Sequence, residues 1–517
     1  MKHLILFFSF AFLSLGYVHS QHTWYFSKGS KEGKGTKLKP FTSLQQLSQL
    51  SLQPGDTVFF HAGERLEGNI SLNNVYGTEK RNIVFTSYGK GRSIIDGGNK
   101  EALVITESGN FKILDIELLG AGRKTGNTTD GLKVVNCKKA TFKNIQISGF
   151  QKAGLQLYNC VSIEVNNVFA HDNGAAGILV EGDYQKRISD HIHINNCRAD
   201  NNPGDPTKLD NHSGNGIVVG NCKNVLIEYC TATNNGWDMP RIGNGPVGIW
   251  AYEADSVIIQ HCISYRNKTA KGAADGGGFD LDGGVTNSII QYCLSYENWG
   301  SGYGIYQYYS AGKWYNNTVR YCISINDGQV TDEASAMLIW NGWNGDSTFT
   351  DFKAYNNFFY NDSRYAFGFS PQSQHRSFYF FNNVFVASDT SDIFNGIDSS
   401  SKDLFLGNVW MKKSGGFAQN GYTNFNEWAN AKNYEQYNGK LNGYSFKQKI
   451  FTVPPVLNIT DPYTLKSNKL LLSICNSLLY NKGIDMGKMF SIDKAKKDFF
   501  GHAVPRHDLT IGICTKK

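Results

Sequence analysis

The chain has 517 residues, 40% of them hydrophobic and 13% aromatic, which is ample for a large core. Past the first twenty residues no stretch approaches the roughly 18 apolar residues that span a bilayer, so a membrane span is excluded. The formal charge of +7 is a mild excess, and its lysines lack interleaved aromatics, which argues against nucleic acid as a partner.

Residues 1–20 have the pattern of a cleaved signal peptide. Lys2 starts them, Leu4 to Leu15 form an apolar run, and Val18-His19-Ser20 offers small residues before a cut at Gln21. An exported protein, periplasmic or extracellular, is the expectation. Residues 21–82 predict an N-terminal cap and the first strands. Thr23–Phe26 begins a strand, and Pro40–Leu47 predicts a short amphipathic helix with Thr42 or Ser43 as N-cap. Gln53–Asp56 is a turn before the strand Thr57–Phe60.

Residues 83–410 repeat. Cys197, Cys230, Cys262, Cys293 and Cys322 recur in the same local setting, each followed by a polar turn such as Asn201-Asn202 or Asn234-Asn235. A strand led by glycine comes after each turn (Gly177-Ile178, Gly216-Ile217, Gly248-Ile249, Gly278-Phe279, Gly304-Ile305), and a third apolar run closes the unit. Three short strands per unit without helical stretches predict an all-β parallel β-helix, a solenoid of about 10–12 coils with an N-terminal helical cap. The cysteines, including Cys137, Cys160 and Cys222, are expected as buried side chains stacked coil on coil rather than as disulfides. Residues 411–517 predict C-terminal coils, loops and a capping tail. Phe417 to Lys449 has the composition of aromatic and polar loops, and the apolar stretch Leu470 to Leu479 is expected to pack back on the solenoid.

Chemistry concentrates in Ala274–Gly284, where Asp275, Asp280 and Asp282 lie among glycines. Alternation puts Phe279 and Leu281 on one face and Asp280 and Asp282 on the other; burying an unpaired acid pair is prohibitive, so the acids should face outward. Aligning the glycine-led strands predicts two outward columns. One runs Trp250, Asp280, Tyr306, Ile339; the other runs Tyr252, Asp282, Tyr308, Asn341. Aromatic faces beside carboxylates suit a sugar, which makes Trp250, Tyr252, Tyr306 and Tyr308 candidate substrate-binding residues. Insertions Pro203–Gly214 and Asn235–Gly245 are placed to wall the groove and bring Asp210, His212, Trp237 and Arg241.

Two acids at this spacing fit glycosidic cleavage, with Asp280 and Asp282 as catalytic candidates and Asp275, Glu181 or Glu253 as alternative second acids. A monomeric glycoside hydrolase acting on a polysaccharide or oligosaccharide, with no cofactor required, is the favoured reading. A second is a lyase or C5-epimerase on a uronic-acid polymer, with calcium on Asp275, Asp280 and Asp282 and Lys271, His212 or Arg241 as base. A third is a non-catalytic carbohydrate-binding or adhesive β-helix.

The opening (Trp24-Tyr25-Phe26-Ser27, Pro40-Phe41, Pro54-Gly55-Asp56-Thr57-Val58), the coils, and the ending Asp498-Phe499-Phe500-Gly501 to Ile511-Gly512 resemble the right-handed parallel β-helix, pectin-lyase-like superfamily of secreted bacterial polysaccharide-active proteins. The resemblance implies the fold across nearly the whole mature chain. It hosts hydrolases, lyases, epimerases and adhesins, so it implies no single reaction. Gly278–Asp282 through Thr286-Asn287 also resembles the catalytic coil of alginate C5-epimerases, with Asp282 where that pattern has histidine. The same coil is similar to the calcium-site coil of lysine-base pectate lyases, with Gly276 and Gly277 near where further aspartates are expected.

Overall fold

Short β-branched and aromatic runs separated by Asn-rich turns cannot each bury a core alone, so they stack. The computed structural model describes residues 21–29, 33–342, 345–370, 374–396, 403–454, 456–506 and 508–515; the expected signal segment 1–20 lies outside them. The strands form a 25-stranded and a 12-stranded sheet, every pairing within them parallel, and the smaller sheet takes one strand from each of twelve coils between Ile70–Asn73 and Phe394–Asn395. This is a right-handed parallel β-helix, all-β as expected. Among the described residues no helix is long and apolar enough to cross a membrane.

Inward positions form continuous columns. Ile178, Ile217, Ile249, Phe279, Tyr303, Met337 and Phe367 pair in sequence and are fully buried. Phe279 and Tyr303 stack at 5.3 Å.

At one corner of the core an asparagine ladder links successive coils. The amide oxygen of Asn202 accepts the backbone and side-chain N–H of Asn173, and Asn235, Asn267 and Asn298 repeat the arrangement. Each side-chain nitrogen also reaches a carbonyl of the preceding coil, as Asn235 does to Ala199. The ladder ends on Asp327, whose carboxylate accepts from Asn298 and from the Ser324 hydroxyl. A second ladder, Asn357–Asn383–Asn408, ends on Glu435 in the same way. Both end groups are fully buried, and burial pushes each carboxyl up to about 7. The cysteines stack as expected: eight are buried and free, with the Cys197 N–H donating to the Cys230 sulfur at 3.4 Å.

The ends depart from expectation. Leu44–Gln49 is a six-residue 3-10 helix rather than an α-helical cap. Ser43 and Gln46 form a capping box, and Leu44 and Leu47 join the core. Within the expected loops an α-helix forms at Phe425–Lys432, N-capped by Asn424; it adds Phe425 and Trp428 to the core. The tail packs along the sheet face that carries Tyr265, Tyr296 and Tyr355. Leu471, Ile474 and Leu479 are buried there, while Leu470 and Leu478 stay exposed. The hydroxyl of Tyr296 donates to the Ile459 carbonyl at 3.2 Å and that of Tyr355 to Asp493 at 3.1 Å. A Cys475–Cys514 disulfide, outside both thiol ladders, closes the tail on itself.

Replacing Asn267 by leucine would strip the acceptor from two Asn235 N–H groups in a dry corner. Unsatisfied buried donors cost about 1–3 kcal/mol each, so Asn267→Leu should lower the urea midpoint by an amount equivalent to about 2–6 kcal/mol. Equilibrium unfolding in urea measures it.

Candidate active site

Outward side chains of the smaller sheet line a groove of about 930 Å³ that runs along the solenoid axis from Asp130 to Trp340. Three loops wall it. Pro203–Gly214 contributes Asp205, Lys208, Asn211 and His212; the second insertion contributes Asn244 and Gly245; and Thr331–Ala334, which carries no sequence signal, forms the third wall.

The register assigns the floor. Val218, Trp250 and Asp280 are partners on successive coils, and the Asp282 N–H continues the ladder to the Ala251 carbonyl. One coil on, the alignment from sequence is two residues out: Asp280 pairs with Gly304, not Tyr306, and Ile339 pairs with Ile305 inside the core. Asn341 likewise pairs with Gln307 rather than joining the Asp282 column. The residue equivalent to Gly278 is Gly302, because the Phe279 N–H bonds the Gly302 carbonyl. Tyr306 still reaches the acids, because its ring folds back over Gly304. A Cβ on Gly304 would lie 2.6 Å from that ring, so only glycine leaves the space. Tyr252 does the same over Gly220, and its hydroxyl donates to Glu181 at 2.8 Å.

Asp280 is 2% exposed, and its Oδ1 is buried without a hydrogen-bond partner. Asp282 accepts the Gly283 N–H at 2.7 Å. Asp275 accepts the Gly245 N–H at 2.8 Å, and its carbonyl accepts the Thr331 hydroxyl, which ties two walls together. All three carboxyls are pushed upward. For Asp280 the cause is burial, then the charges of Asp282 and Asp275. For Asp282 it is burial, partly offset by the Gly283 N–H, with Asp275 and Glu253 adding to the rise. Burial brings Asp275 to about 6. Asp282 is raised to about 7, and of the neighbouring pair Asp280 alone lacks a donor, so a single shared proton favours Asp280.

His212 stands over the floor, edge-on to Trp250 at 5.1 Å. Asn215, which the sequence pattern did not single out, orients both. Its Oδ1 accepts the Trp250 indole N–H at 3.1 Å and the Val247 N–H at 3.2 Å. Its amide nitrogen therefore faces the Ala175 carbonyl and His212 Nδ1, so His212 carries its proton on Nε2. Burial, then Arg241 and Lys208, lowers His212 to about 4 and keeps it neutral. The missed signal was a polar residue in a row that elsewhere holds Ala153, Ala176 and Val247.

Other expected residues lie outside the groove. Trp237 is 47% exposed and donates to Asn201. Arg241 braces Asn244 within its own loop, and Asp210 pairs with Lys208 on the surface. Lys271 is exposed. Glu253 is buried beneath the turn that follows Tyr308, accepting from the Tyr308 hydroxyl and the Gly312 N–H. Tyr308 itself lines the groove. Among the described residues no three His, Cys, Asp or Glu side chains are arranged to hold a metal ion. Of the three acids considered for calcium, Asp275 and Asp282 each commit one oxygen to a backbone N–H.

The family model described as "Pel9A-like, right handed beta helix region" matches residues 24–331. No curated protein matches the chain. Similar solved structures include a GH136 lacto-N-biosidase from Eubacterium ramulus at 14% identity, covering 75% of this chain and 67% of that one with a TM-score of 0.47. Pectate lyase Pel9A shares 14% identity over 86% of this chain and 95% of its own, TM-score 0.41. The A-module of the Azotobacter vinelandii mannuronan C-5 epimerase AlgE4 shares 13% over 68% and 89%, TM-score 0.44.

A raised carboxyl keeps its proton after the unfolded chain has released its own, so it favours folding at low pH. That advantage fades as pH rises from about 4 through the folded value. A tenfold change in proton affinity on folding is worth about 1.4 kcal/mol. Asp280→Asn should flatten the fall in melting temperature of the native protein between about pH 4 and 8. Thermal unfolding across that range reads the slope.

Proposed function

Since the chain belongs to the Pel9A-like right-handed β-helix family, we propose that it is a carbohydrate-active enzyme that hydrolyses glycosidic bonds with Asp280 as general acid and Asp282 as its ionised partner. The observation that carries this reading is the asymmetry of the pair. Asp280 is buried with an oxygen that nothing bonds, whereas Asp282 beside it accepts a backbone N–H.

A buried carboxyl with no donor holds its proton at neutral pH and has one group to give it to, the ligand in the groove. In the step proposed, Asp280 passes that proton to the glycosidic oxygen as the bond to the anomeric carbon breaks. Asp282 either takes a proton from the water that attacks that carbon or attacks it directly, with water completing hydrolysis in a second step. One water is consumed and one reducing end is released in both cases. The pair resets by exchanging its proton with solvent.

Tyr306 and Trp250 line the groove on either side of Asp280, where a sugar would meet the parts of their rings left open, and the neutral His212 presents an Nε2–H donor to a hydroxyl. Glu181, held by Tyr252, belongs to substrate binding rather than to proton transfer. The apolar run Leu4–Leu15 supports export, which places the activity outside the cytoplasm.

Incubation with a panel of polysaccharides should release reducing ends without the ultraviolet absorbance of an unsaturated uronate, and a chelator should leave the rate unchanged. An absorbing product would replace this reading with a lyase. Asp280→Asn and Asp282→Asn should each lower kcat by about 10²–10⁴-fold with native circular dichroism. The native rate should fall on the alkaline side as Asp280 loses its proton and on the acid side as Asp282 gains one.

A further inference from the structure

The groove carries eight carboxyl groups against two amines. Asp275, Asp280 and Asp282 crowd its floor, Asp332 and Glu333 stand exposed on the third wall, and the half-buried Glu181 lies two coils before Tyr252. Lys152 lies towards the other end and Lys208 on the wall loop near the middle. Lys152 immediately precedes the strand Ala153–Tyr158, four coils before the strand of Asp280, which at the spacing of parallel strands is about 19 Å along the axis. The Lys152 separation exceeds the screening length of about 8 Å at physiological salt, and Lys208, on the loop two coils before Asp280, is already shared with Asp210. The imidazole over the floor is neutral, and no set of side chains among the described residues gathers a metal there.

From this distribution we infer that the groove takes a non-anionic glycan, neutral or amino-substituted, and rejects polymers of uronic acids. A polyuronate presents a carboxylate on every ring, and each ring threaded past Asp280 would set that charge against fixed acids with no cation to receive it. Elimination or epimerisation next to a uronate carboxylate needs that charge neutralised, and the floor's own side chains include no cation to do it. A neutral ring fits the same chemistry. Its hydroxyls donate to Glu181 and Asp282, and its C–H faces lie on Tyr306 and Trp250. An amino sugar gains from the acids directly.

The inference rests on the groove being the glycan site of the proposed function, and its test reads binding apart from turnover. Length-matched neutral, amino-sugar and uronate oligosaccharides are titrated by calorimetry into the full chain at low and high salt. Neutral or amino sugars should bind at least about tenfold more tightly than uronates at low salt, and the gap should narrow as salt rises. The double variant Asp332→Asn/Glu333→Gln, which removes two charges from the third wall with little change of shape, should shrink the gap several-fold by tightening uronate binding. Preferential binding of the uronates, or a gap indifferent to that variant, overturns the inference. A neutral glycan bound but never cleaved retires the hydrolase and leaves this inference standing, whereas a uronate bound and hydrolysed does the reverse.

Discussion

The stacked side-chain amides set the register on which everything else depends. Each asparagine of the ladder offers one oxygen to two N–H groups of the coil before it, and it sits where the polar turn leaves the core. Satisfied in a dry corner, such a bond fixes one coil's rotation against the next far more strictly than apolar contact does. Once Asn235, Asn267 and Asn298 are stacked, the strands that follow must fall in line. Trp250 then lies beside Asp280, and Gly304 beside Asp280 on the far side. The floor of the groove is a consequence of the ladder one turn away.

That rigidity lets the protein hold charges where water is scarce. Three carboxyls within one loop and strand, all pushed upward by burial, oppose folding at neutral pH. A loop-built site would relax by swinging them into solvent. Here Phe279 and Leu281 are locked in the core on either side of Asp280, so its side chain has no other direction to take. Asp275 is held by Gly245 and Thr331. The pair at Asp280 and Asp282 differs chemically because a single backbone N–H reaches one and not the other.

Much of this was legible from residues alone, for a physical reason. A repeat of inward β-branched and aromatic positions admits one way to bury them, and strict alternation around Phe279 and Leu281 decides which way the aspartates point. What escaped had no periodic signal. Gly302 and Gly304 are two residues apart, either can lead a strand, and only pairing with Phe279 selects the first; Tyr306 and Ile339 were misassigned on that account. The wall Thr331–Ala334 has an ordinary loop composition. Asn215 hid among the many turn asparagines, although its role is to aim Trp250 and His212. Cys475 and Cys514 lie beyond the repeat, so nothing in the ladder spacing pointed to their bridge. Trp237 and Arg241 were near in sequence to the groove but belong to the outer side of their loop.

The ladder has a further implication for how such a scaffold changes over time. Successive rungs are separated by 29, 33, 32, 31 and 29 residues, yet the stacked amides do not register the difference. In the three longer spacings the surplus is extruded between the rung and the next glycine-led strand, the corner that borders the groove, and in the two 29-residue spacings it falls after that strand. Chain length is therefore quantised in whole turns at the core and free to vary at the rim. Lineages built on this plan can remodel what they grip by lengthening one corner while the stacked interior is inherited intact.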